Sequence, residues 1–271
     1  MIVITGATGN VGRPLVQALA AAGEQVTAVS RRISAADVPD GVRVHQADLA
    51  TPETFESVLD GASALFLMVS GAFVPLDEVL GRARSSGVGR VVLLSSQGVA
   101  TGRHPTVLED SVRASGLEWT MLQPGAFASN TLQWSESVRS SREVVAPFGD
   151  VALPVVDPDD IAAVAAAALR EDGHAGAEYV LTGPAAITPR EQAAMIGEVL
   201  GEPVRFVAQT REQARAVLLG FMPEHVADVT LDVLGAPTPG EQRVSPAVER
   251  VLGRPPRPFS EWAARNAAVF K

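Results

Sequence analysis

Three glycines near the start of the chain are spaced for contact with a dinucleotide. Gly6, Gly9 and Gly12 follow the apolar residues 2–4 and precede a helical pattern that starts near Asn10. In this context the first glycine permits a sharp turn off a strand, the second lets a pyrophosphate approach the backbone, and the third permits close helix packing. Unpaired backbone N–H groups at the helix start favour an anion. The spacing predicts a pyrophosphate-binding loop rather than a glycine-rich turn without a ligand.

The end of the second predicted strand, residues 25–30, indicates which dinucleotide would bind. An NAD site usually carries an Asp or Glu there, which accepts hydrogen bonds from the ribose 2′-hydroxyl. Here Ser30 is followed by Arg31 and Arg32, and guanidinium groups suit a 2′-phosphate. We expect Arg31 to bind that phosphate and NADP(H) to be preferred over NAD(H). For Arg32 two interpretations stay open, a phosphate ligand and a solvated surface charge.

Strand and helix patterns alternate along the first half of the chain. The continuous apolar run at 63–69 is typical of a strand covered by helices on both faces, and Thr51 followed by Pro52 favours a helix start. The alternation predicts an α/β fold, a Rossmann-like doubly wound parallel sheet. We expect strands at 2–4, 25–30, 42–45, 63–69, 90–95 and 119–122, and helices that begin near residues 10, 51, 76 and 107.

Composition excludes several kinds of chemistry. The 271 residues include no cysteine, which excludes disulfide and thiol chemistry, and the net charge of −9 argues against nonspecific nucleic-acid binding. The one tyrosine is Tyr179 and the one lysine is Lys271, so a catalytic Tyr and Lys one helical turn apart are excluded. No secretory signal is visible, and the longest apolar stretch, 161–169, is too short to span a membrane. We expect a cytoplasmic protein without a membrane segment or a metal site.

Further motifs follow the glycine loop in a characteristic order. They lie at residues 31, 48–49, 94–96, 109, 115–117, 123–127, 130, 157–161, 179–184 and 200–201. Together with residues 5–12 they make the chain similar to the atypical or extended short-chain dehydrogenase/reductases, specifically the NmrA-like NAD(P)-binding family. The resemblance covers nearly the whole chain and extends to bacterial quinone-reductase-like and ergot-alkaloid-type reductase members.

The resemblance implies which residues hold the cofactor besides Arg31. Each part of the nucleotide has its own expected neighbours. For Asp48, a role as a turn or cap residue is an equal alternative. The expected neighbours are Gly6, Thr8, Gly9, Asn10 and Val11 at the pyrophosphate, Asp48 and Leu49 at the adenine, Met68 and Val69 at the nicotinamide ribose, and Pro124 and Gly125 at the nicotinamide, with Ser95 as a further contact.

A possible substrate wall follows the predicted nicotinamide neighbours. Phe127, Asn130 and Trp134 share one face if the segment is helical, and Phe127 would also border the nicotinamide. An apolar wall with one polar group is typical of a small-molecule pocket. Core packing is the alternative, and both interpretations stay open.

The chain departs from the family where the proton relay would stand. Counted back from Glu109, the usual Tyr and Lys positions fall near Thr101 and Pro105. The third residue of the serine run, often a hydroxyl in extended members, is Gln97, whose amide can donate a hydrogen bond to an oxyanion but cannot shuttle a proton. His104 is the nearby group suited to proton transfer, with a surface histidine as the alternative.

These features favour an NADP(H)-dependent oxidoreductase that reduces a small quinone-like or imine-like substrate by hydride transfer without a Tyr–Lys relay. Two alternatives remain: a non-catalytic NADP-binding redox sensor of the NmrA type, and an isomerase-type enzyme that retains its nucleotide. We expect a small-molecule partner and no direct nucleic-acid partner, and both monomer and homodimer are open. The chain should form one compact unit, 1–271, with a Rossmann-like core at 1–125 and 152–182 and a smaller substrate-side lobe at 126–151 and 183–271.

Overall fold

A computed structural model describes residues 1–70 and 74–271. The strands in these residues are β1 (Ile2–Thr5), β2 (Val26–Ser30), β3 (Arg43–Gln46), β4 (Ala64–Leu67), β5 (Arg90–Leu94), β6 (Glu118–Pro124), β7 (Glu143–Ala146), β8 (Ala177–Leu181) and β9 (Arg205–Ala208). The α-helices are α1 (Gly12–Ala21), α2 (Leu76–Ser85), α3 (Gln97–Ala100), α4 (Val107–Ala114), α5 (Ser135–Ser141), α6 (Pro158–Arg170), α7 (Pro189–Leu200), α8 (Arg211–Leu218), α9 (Glu224–Gly235), α10 (Pro239–Gln242), α11 (Ala247–Leu252), α12 (Phe259–Arg265) and α13 (Ala267–Phe270).

The described residues form one large parallel sheet of seven strands, in the order β3-β2-β1-β4-β5-β6-β8. The chain runs outward from β1 through β2 to β3, and β4 then returns to the other side of β1. Connections on the two sides of β1 therefore lead away in opposite directions, which opens a crevice at the carboxyl ends of β1 and β4. The predicted doubly wound parallel sheet is confirmed.

Helices bury both faces of this sheet. On one face Leu15 of α1, Ile161 of α6 and Val248 of α11 belong to one hydrophobic cluster. On the other face Leu80 of α2 and Val112 of α4 belong to a second cluster. Because the central strands are covered on both sides, their sequences are continuously apolar rather than alternating.

A third hydrophobic cluster lies outside the large sheet. It joins α5, α7, α12 and α13 to the small parallel sheet of β7 and β9, and Trp262 packs between Phe259 and Phe270 at its centre. Much of this cluster comes from 126–151 and 183–271, where a smaller lobe is expected. The boundaries between core and lobe remain a prediction.

Two predicted helical segments are 3-10 helices instead. The first is Pro52–Phe55. The side chain of Thr51 does not cap this helix, and Thr54 Oγ1 instead donates a hydrogen bond to Thr51 O at 2.7 Å. Such local side-chain bonds compete with a regular α-helix. Ala128–Trp134 is the second, and its tighter winding changes which of its side chains share a face.

Candidate dinucleotide site

The backbone of the glycine loop is too crowded for side chains. Gly6 has φ = +63°, and its carbonyl accepts a 2.9 Å hydrogen bond from Gly9 N–H. A Cβ on Gly12 would lie 2.1 Å from Gly6 O, and a Cβ on Gly6 would lie 2.2 Å from Met68 Cε. Both distances are shorter than real Cβ contacts. The space at Gly6 and Gly12 is taken by Met68 and by the Gly6 carbonyl, whereas a Cβ on Gly9 would meet only Gly6 O, at 3.2 Å. Gly9 is therefore the part of the loop whose backbone is open to a pyrophosphate.

A cleft of about 140 Å³ opens beside this loop, at the carboxyl ends of β1, β2 and β4. The predicted cofactor residues that line it are Gly6, Thr8, Gly9, Arg31, Asp48, Leu49 and Met68. The lining residues that were not predicted as ligands are Thr5, Val29, Ser30, Ala47, Phe55 and Ser70. All but Phe55 lie within two residues of a predicted position. The ends of the predicted strands would therefore have indicated these residues as well. Phe55 reaches the cleft through a 3-10 helix that sequence spacing did not indicate.

Thr5 joins the two strands that flank the crevice. Its Oγ1 donates to Phe66 O at 3.1 Å and accepts from Met68 N–H at 2.8 Å. The hydroxyl therefore continues the pairing of β1 and β4 beyond the point where their backbone ladder ends. This bond holds Met68 over Gly6 at the mouth of the cleft.

The end of β2 carries hydroxyl and guanidinium groups and no carboxylate. Thr8 Oγ1 and Ser30 Oγ lie within hydrogen-bond distance, 3.1 Å apart, and Arg31 lines the cleft beside them. Arg31 is exposed, and within the part of the chain that the structure describes it forms no ion pair. Its guanidinium is therefore available to an anion. Arg32 is also exposed but does not line the cleft.

Asp48 makes a turn contact and also lines the cleft. Its Oδ1 accepts a 3.0 Å hydrogen bond from Ala50 N–H, as a turn residue does. The same residue lines the cleft together with Leu49. The turn contact holds the carboxylate in place, and it still leaves acceptor sites free.

The other predicted cofactor residues lie outside this cleft. Val11 is buried in the core, and Asn10 Nδ2 donates to Ser129 Oγ at 3.1 Å, which joins the glycine loop to the segment after β6. Gly125 N–H donates to Leu181 O at 3.0 Å. Four more of the predicted cofactor residues lie at or just after the carboxyl ends of β4, β5 and β6: Val69, Ser95, Pro124 and Gly125.

Gln97 is held between two parts of the chain. It is buried, its Nε2 donates to Gly240 O at 3.3 Å, and a Cβ on Gly125 would lie 2.9 Å from its Oε1. The amide therefore lies beside a predicted nicotinamide neighbour. His104 is exposed, and its ring packs on Gly98, where a Cβ would lie 2.5 Å from Nδ1. The structure brings neither side chain to the lining of the cleft.

Two buried carboxylates contact the segment that contains Gln97 and His104, residues 95–104. Ser95 Oγ donates to Glu109, which is 2% exposed. Arg103 holds Glu241 through bonds of 2.7 and 3.1 Å, and Thr238 N–H donates to Glu241 at 2.6 Å. Burial raises the pKa of Glu241, but these hydrogen bonds lower it by more, so its pKa lies below the ordinary range. This ion pair fastens α10 to the chain between α3 and α4.

The three predicted substrate residues have different surroundings. Phe127 packs against the cluster that contains α1 and α6, Trp134 belongs to the cluster outside the sheet, and Asn130 is exposed. A 3-10 helix has three residues per turn, so positions seven apart do not align. The prediction of one shared face is wrong for this segment, and for Phe127 and Trp134 the packing interpretation fits.

Tyr179 lies at the opposite edge of the sheet from the cleft. Its hydroxyl is 2.8 Å from Nδ1 of His174, which precedes β8. Burial raises the pKa of this hydroxyl above its usual value. Tyr179 is the middle residue of β8, the last strand of the sheet and three strands away from β4, and adjacent strands lie about 4.8 Å apart, so Tyr179 is remote from the cleft.

Among residues 1–70 and 74–271, no helix is long and apolar enough to span a membrane. Over the same residues no group of three or more His, Asp or Glu side chains is arranged to hold a metal ion.

Comparison with known proteins identifies the family. Residues 6–172 match the model of a family described as NAD(P)H-binding. The chain is 39% identical to the (4-alkanoyl-5-oxo-2,5-dihydrofuran-3-yl)methyl phosphate reductase of Streptomyces griseus, over 100% of this chain and 99% of that protein. It is 35% identical to the NAD(P)H azoreductase of Xenophilus azovorans, over 100% of this chain and 99% of the relative.

Solved structures agree with this assignment. The NADPH-dependent quinone oxidoreductase of Escherichia coli, in complex with NADPH, superposes with a TM-score of 0.81 and 26% identity over 98% of this chain and 99% of that chain. NmrA shares the fold, with a TM-score of 0.77. The chain belongs to the NAD(P)H-binding family, and it is an NAD(P)H-dependent oxidoreductase.

Proposed function

We propose that the protein is an NADP(H)-dependent reductase that transfers hydride to a small quinone-like or imine-like acceptor without a Tyr–Lys relay. The observation that carries the proposal is the end of β2, where Arg31 lines the cleft and residues 30–32 include no Asp or Glu. A carboxylate there would repel a 2′-phosphate, whereas a guanidinium binds it through charge-assisted hydrogen bonds. Bound NADPH supplies the hydride.

The remaining cofactor contacts follow from the crowded loop. Gly9 leaves room for the pyrophosphate, while Gly6 and Gly12 let the turn and the start of α1 pack closely, so that backbone N–H groups would face the anion. Asp48 and Leu49 line the same cleft, where they would border the adenine. Val69 follows β4, where it would border the nicotinamide ribose, and Pro124 and Gly125 lie at the end of β6, where they would border the nicotinamide. Asn10 of the glycine loop and Ser95 after β5 would be further contacts.

The acceptor class follows from what the protein lacks. Tyr179 is remote, Pro105 carries no acid, and the hydroxyl of Thr101 donates to Gln97 O at 3.1 Å. Without a Tyr–Lys pair, acceptors that delocalise the incoming charge are favoured over simple ketones. The printed names of two relatives describe an azo group and an oxo-dihydrofuran, and a solved neighbour reduces quinones. Acceptors of this conjugated type support the proposal. Gln97 and His104 would be the polar candidates to contact the substrate.

The test combines binding with turnover. NADPH and NADH would be titrated by fluorescence, and NADPH oxidation would then be followed with a naphthoquinone and a cyclic iminium. We expect tighter binding of NADPH and steady oxidation with at least one acceptor. Tighter binding of NADH would contradict the cofactor assignment. Tight NADPH binding with no oxidation in either assay would favour a nucleotide-binding sensor or an isomerase that retains its nucleotide.

A further inference from the structure

A buried carboxyl near the carboxyl edge of the sheet has no cationic partner. Glu109 on α4 is 2% exposed, and among the described residues its side chain bonds only the hydroxyl of Ser95. Arg113, one turn further along α4, pairs instead with Asp110 and Glu178. Burying a carboxyl without a cation is costly. Stability alone therefore gives no reason for a glutamate at this position.

The partner hydroxyl lies where hydride transfer would take place. Ser95 directly follows β5 and is half-buried. The register pairs Leu67 of β4 with Leu93 of β5, so Ser95 is level with Val69, the residue after cleft-lining Met68. Adjacent strands lie about 4.8 Å apart. Ser95 thus stands one strand away from the cleft, between the cleft and the end of β6.

The usual relay positions cannot replace this pair. Thr101 and Pro105 would precede Glu109 by two turns and one turn of a continuous helix. The chain is not continuously helical there, because Gly102 has φ = +74° and α4 begins only at Val107. Neither Thr101 nor Pro105 therefore keeps the usual helical position relative to Glu109. Glu109 itself is the acid on α4 that is buried against Ser95, at the carboxyl end of β5.

We propose that Glu109 and Ser95 form a two-group proton relay for the acceptor, an inference that rests on the proposed reductase function. Hydride from NADPH brings two electrons and one hydrogen to a quinone, and negative charge develops on its oxygen. That oxygen takes the proton of the Ser95 hydroxyl, which turns from Glu109 to the acceptor for this step. Ser95 regains a proton that passes from water through Glu109. The sum is NADPH, a quinone and one proton converted to NADP⁺ and a hydroquinone.

This relay has a consequence that depends on the substrate. Hydride addition to an iminium carbon cancels a positive charge and requires no proton. A quinone requires one proton for each hydride. Loss of the relay therefore affects quinone reduction selectively, whereas damage to the fold or to cofactor binding affects both acceptors alike.

The experiment compares Glu109→Gln, Ser95→Ala and Ser95→Thr with the unaltered protein, using a naphthoquinone and a cyclic iminium as acceptors. Asp110→Asn is the matched control, because Asp110 is an exposed carboxylate on the same helix. We expect Glu109→Gln and Ser95→Ala to lower the ratio of quinone to iminium kcat about a hundredfold, the usual scale of general acid catalysis. KM for the quinone should change little, and Ser95→Thr should restore the ratio. A solvent deuterium isotope effect should accompany quinone reduction and be absent with the iminium.

Parallel loss with both acceptors, or an unchanged ratio in Ser95→Ala, would overturn the relay while leaving the reductase function intact. If Glu109→Gln does not fold, Ser95→Ala and Ser95→Thr decide the question by themselves. Absence of turnover by the unaltered protein with both acceptors would instead overturn the proposed function, and the relay with it.

Discussion

A side chain at position 12 would collide with Gly6, because its Cβ would lie 2.1 Å from the Gly6 carbonyl oxygen. The first turn of α1 therefore lies directly against the turn that leaves β1. This contact sets where the N–H groups at the helix start point. The expected anion site of the glycine loop therefore depends on the close packing of Gly12 against Gly6 as well as on the N–H donors themselves.

Gly12→Ala should weaken both the fold and cofactor binding. Overpacking of this kind costs about 1–3 kcal/mol, and displacement of α1 should lower NADPH affinity at least about tenfold, or about 1.4 kcal/mol. Urea denaturation and fluorescence titration measure the two effects. Gly81→Ala is the control, because Gly81 is exposed on α2 and its Cβ would meet nothing within 4 Å. It should raise stability by about 0.5–1 kcal/mol, and equal behaviour of the two variants would refute the packing argument.

Arg31→Ala should change cofactor preference. Each charge-assisted hydrogen bond to a phosphate is worth about 1.5–3 kcal/mol, so NADPH should bind about ten- to a hundredfold more weakly. NADH has no 2′-phosphate, and its affinity should stay the same. Arg32→Ala serves as the neighbour control, since Arg32 does not line the cleft. Dissociation constants of both nucleotides for both variants check this, and an equal loss for NADPH and NADH would show that Arg31 does not contact the phosphate.

The Arg103–Glu241 pair should make stability depend on acidity. Hydrogen bonds hold the pKa of Glu241 below the ordinary 4.5 despite its burial. Its contribution to stability is therefore present above pH 4.5 and is lost as pH falls through the lower folded pKa. Glu241→Gln should cost about 1.5–3 kcal/mol near pH 7 and flatten the pH dependence of unfolding below pH 4.5.

Thermal unfolding between pH 3 and pH 7 measures this dependence. Glu136→Gln is the matched control, since Glu136 forms an exposed pair with Arg139 and should change stability by less than about 1 kcal/mol. A Glu241→Gln variant that keeps the acid sensitivity of the unaltered protein would show that other carboxylates dominate it.

Adjacent aspartates at the start of α6 should respond differently to the same substitution, Asp to Asn. Asp160 is fully buried and accepts from Arg254 at 2.7 Å and from Arg257 at 2.5 and 2.6 Å. Asp160→Asn should cost about 1.5–3 kcal/mol, since it removes the charge that strengthens the hydrogen bonds from two half-buried guanidinium groups. Burial and the nearby charge of Asp157 raise the pKa of Asp159, so Asp159→Asn should be close to neutral. Urea denaturation compares the two, and equal destabilisation would contradict the assigned contacts.

Much of the fold could be predicted because its signals are local. The alternation of apolar runs with helix starts such as Thr188-Pro189, which caps α7, reflects interactions within a few residues. The two wrong helix assignments, at 52–55 and 128–134, also have local causes, because sequence patterns do not distinguish a 3-10 helix from an α-helix. Competing side-chain bonds at Thr54 and the tighter winding after Phe127 changed which residues face each other.

The sequence by itself determined the glycine loop, the arginine after β2 and the absence of a Tyr–Lys pair, since each depends on residue type and short spacing. Tertiary structure decided what surrounds them. The strand order places β4 beside β1, and so brings Met68 over Gly6 across 62 residues. It also places Ser95 against Glu109 and Gly240 against Gln97. These contacts depend on how distant segments pack, and no periodicity or spacing along the chain records that.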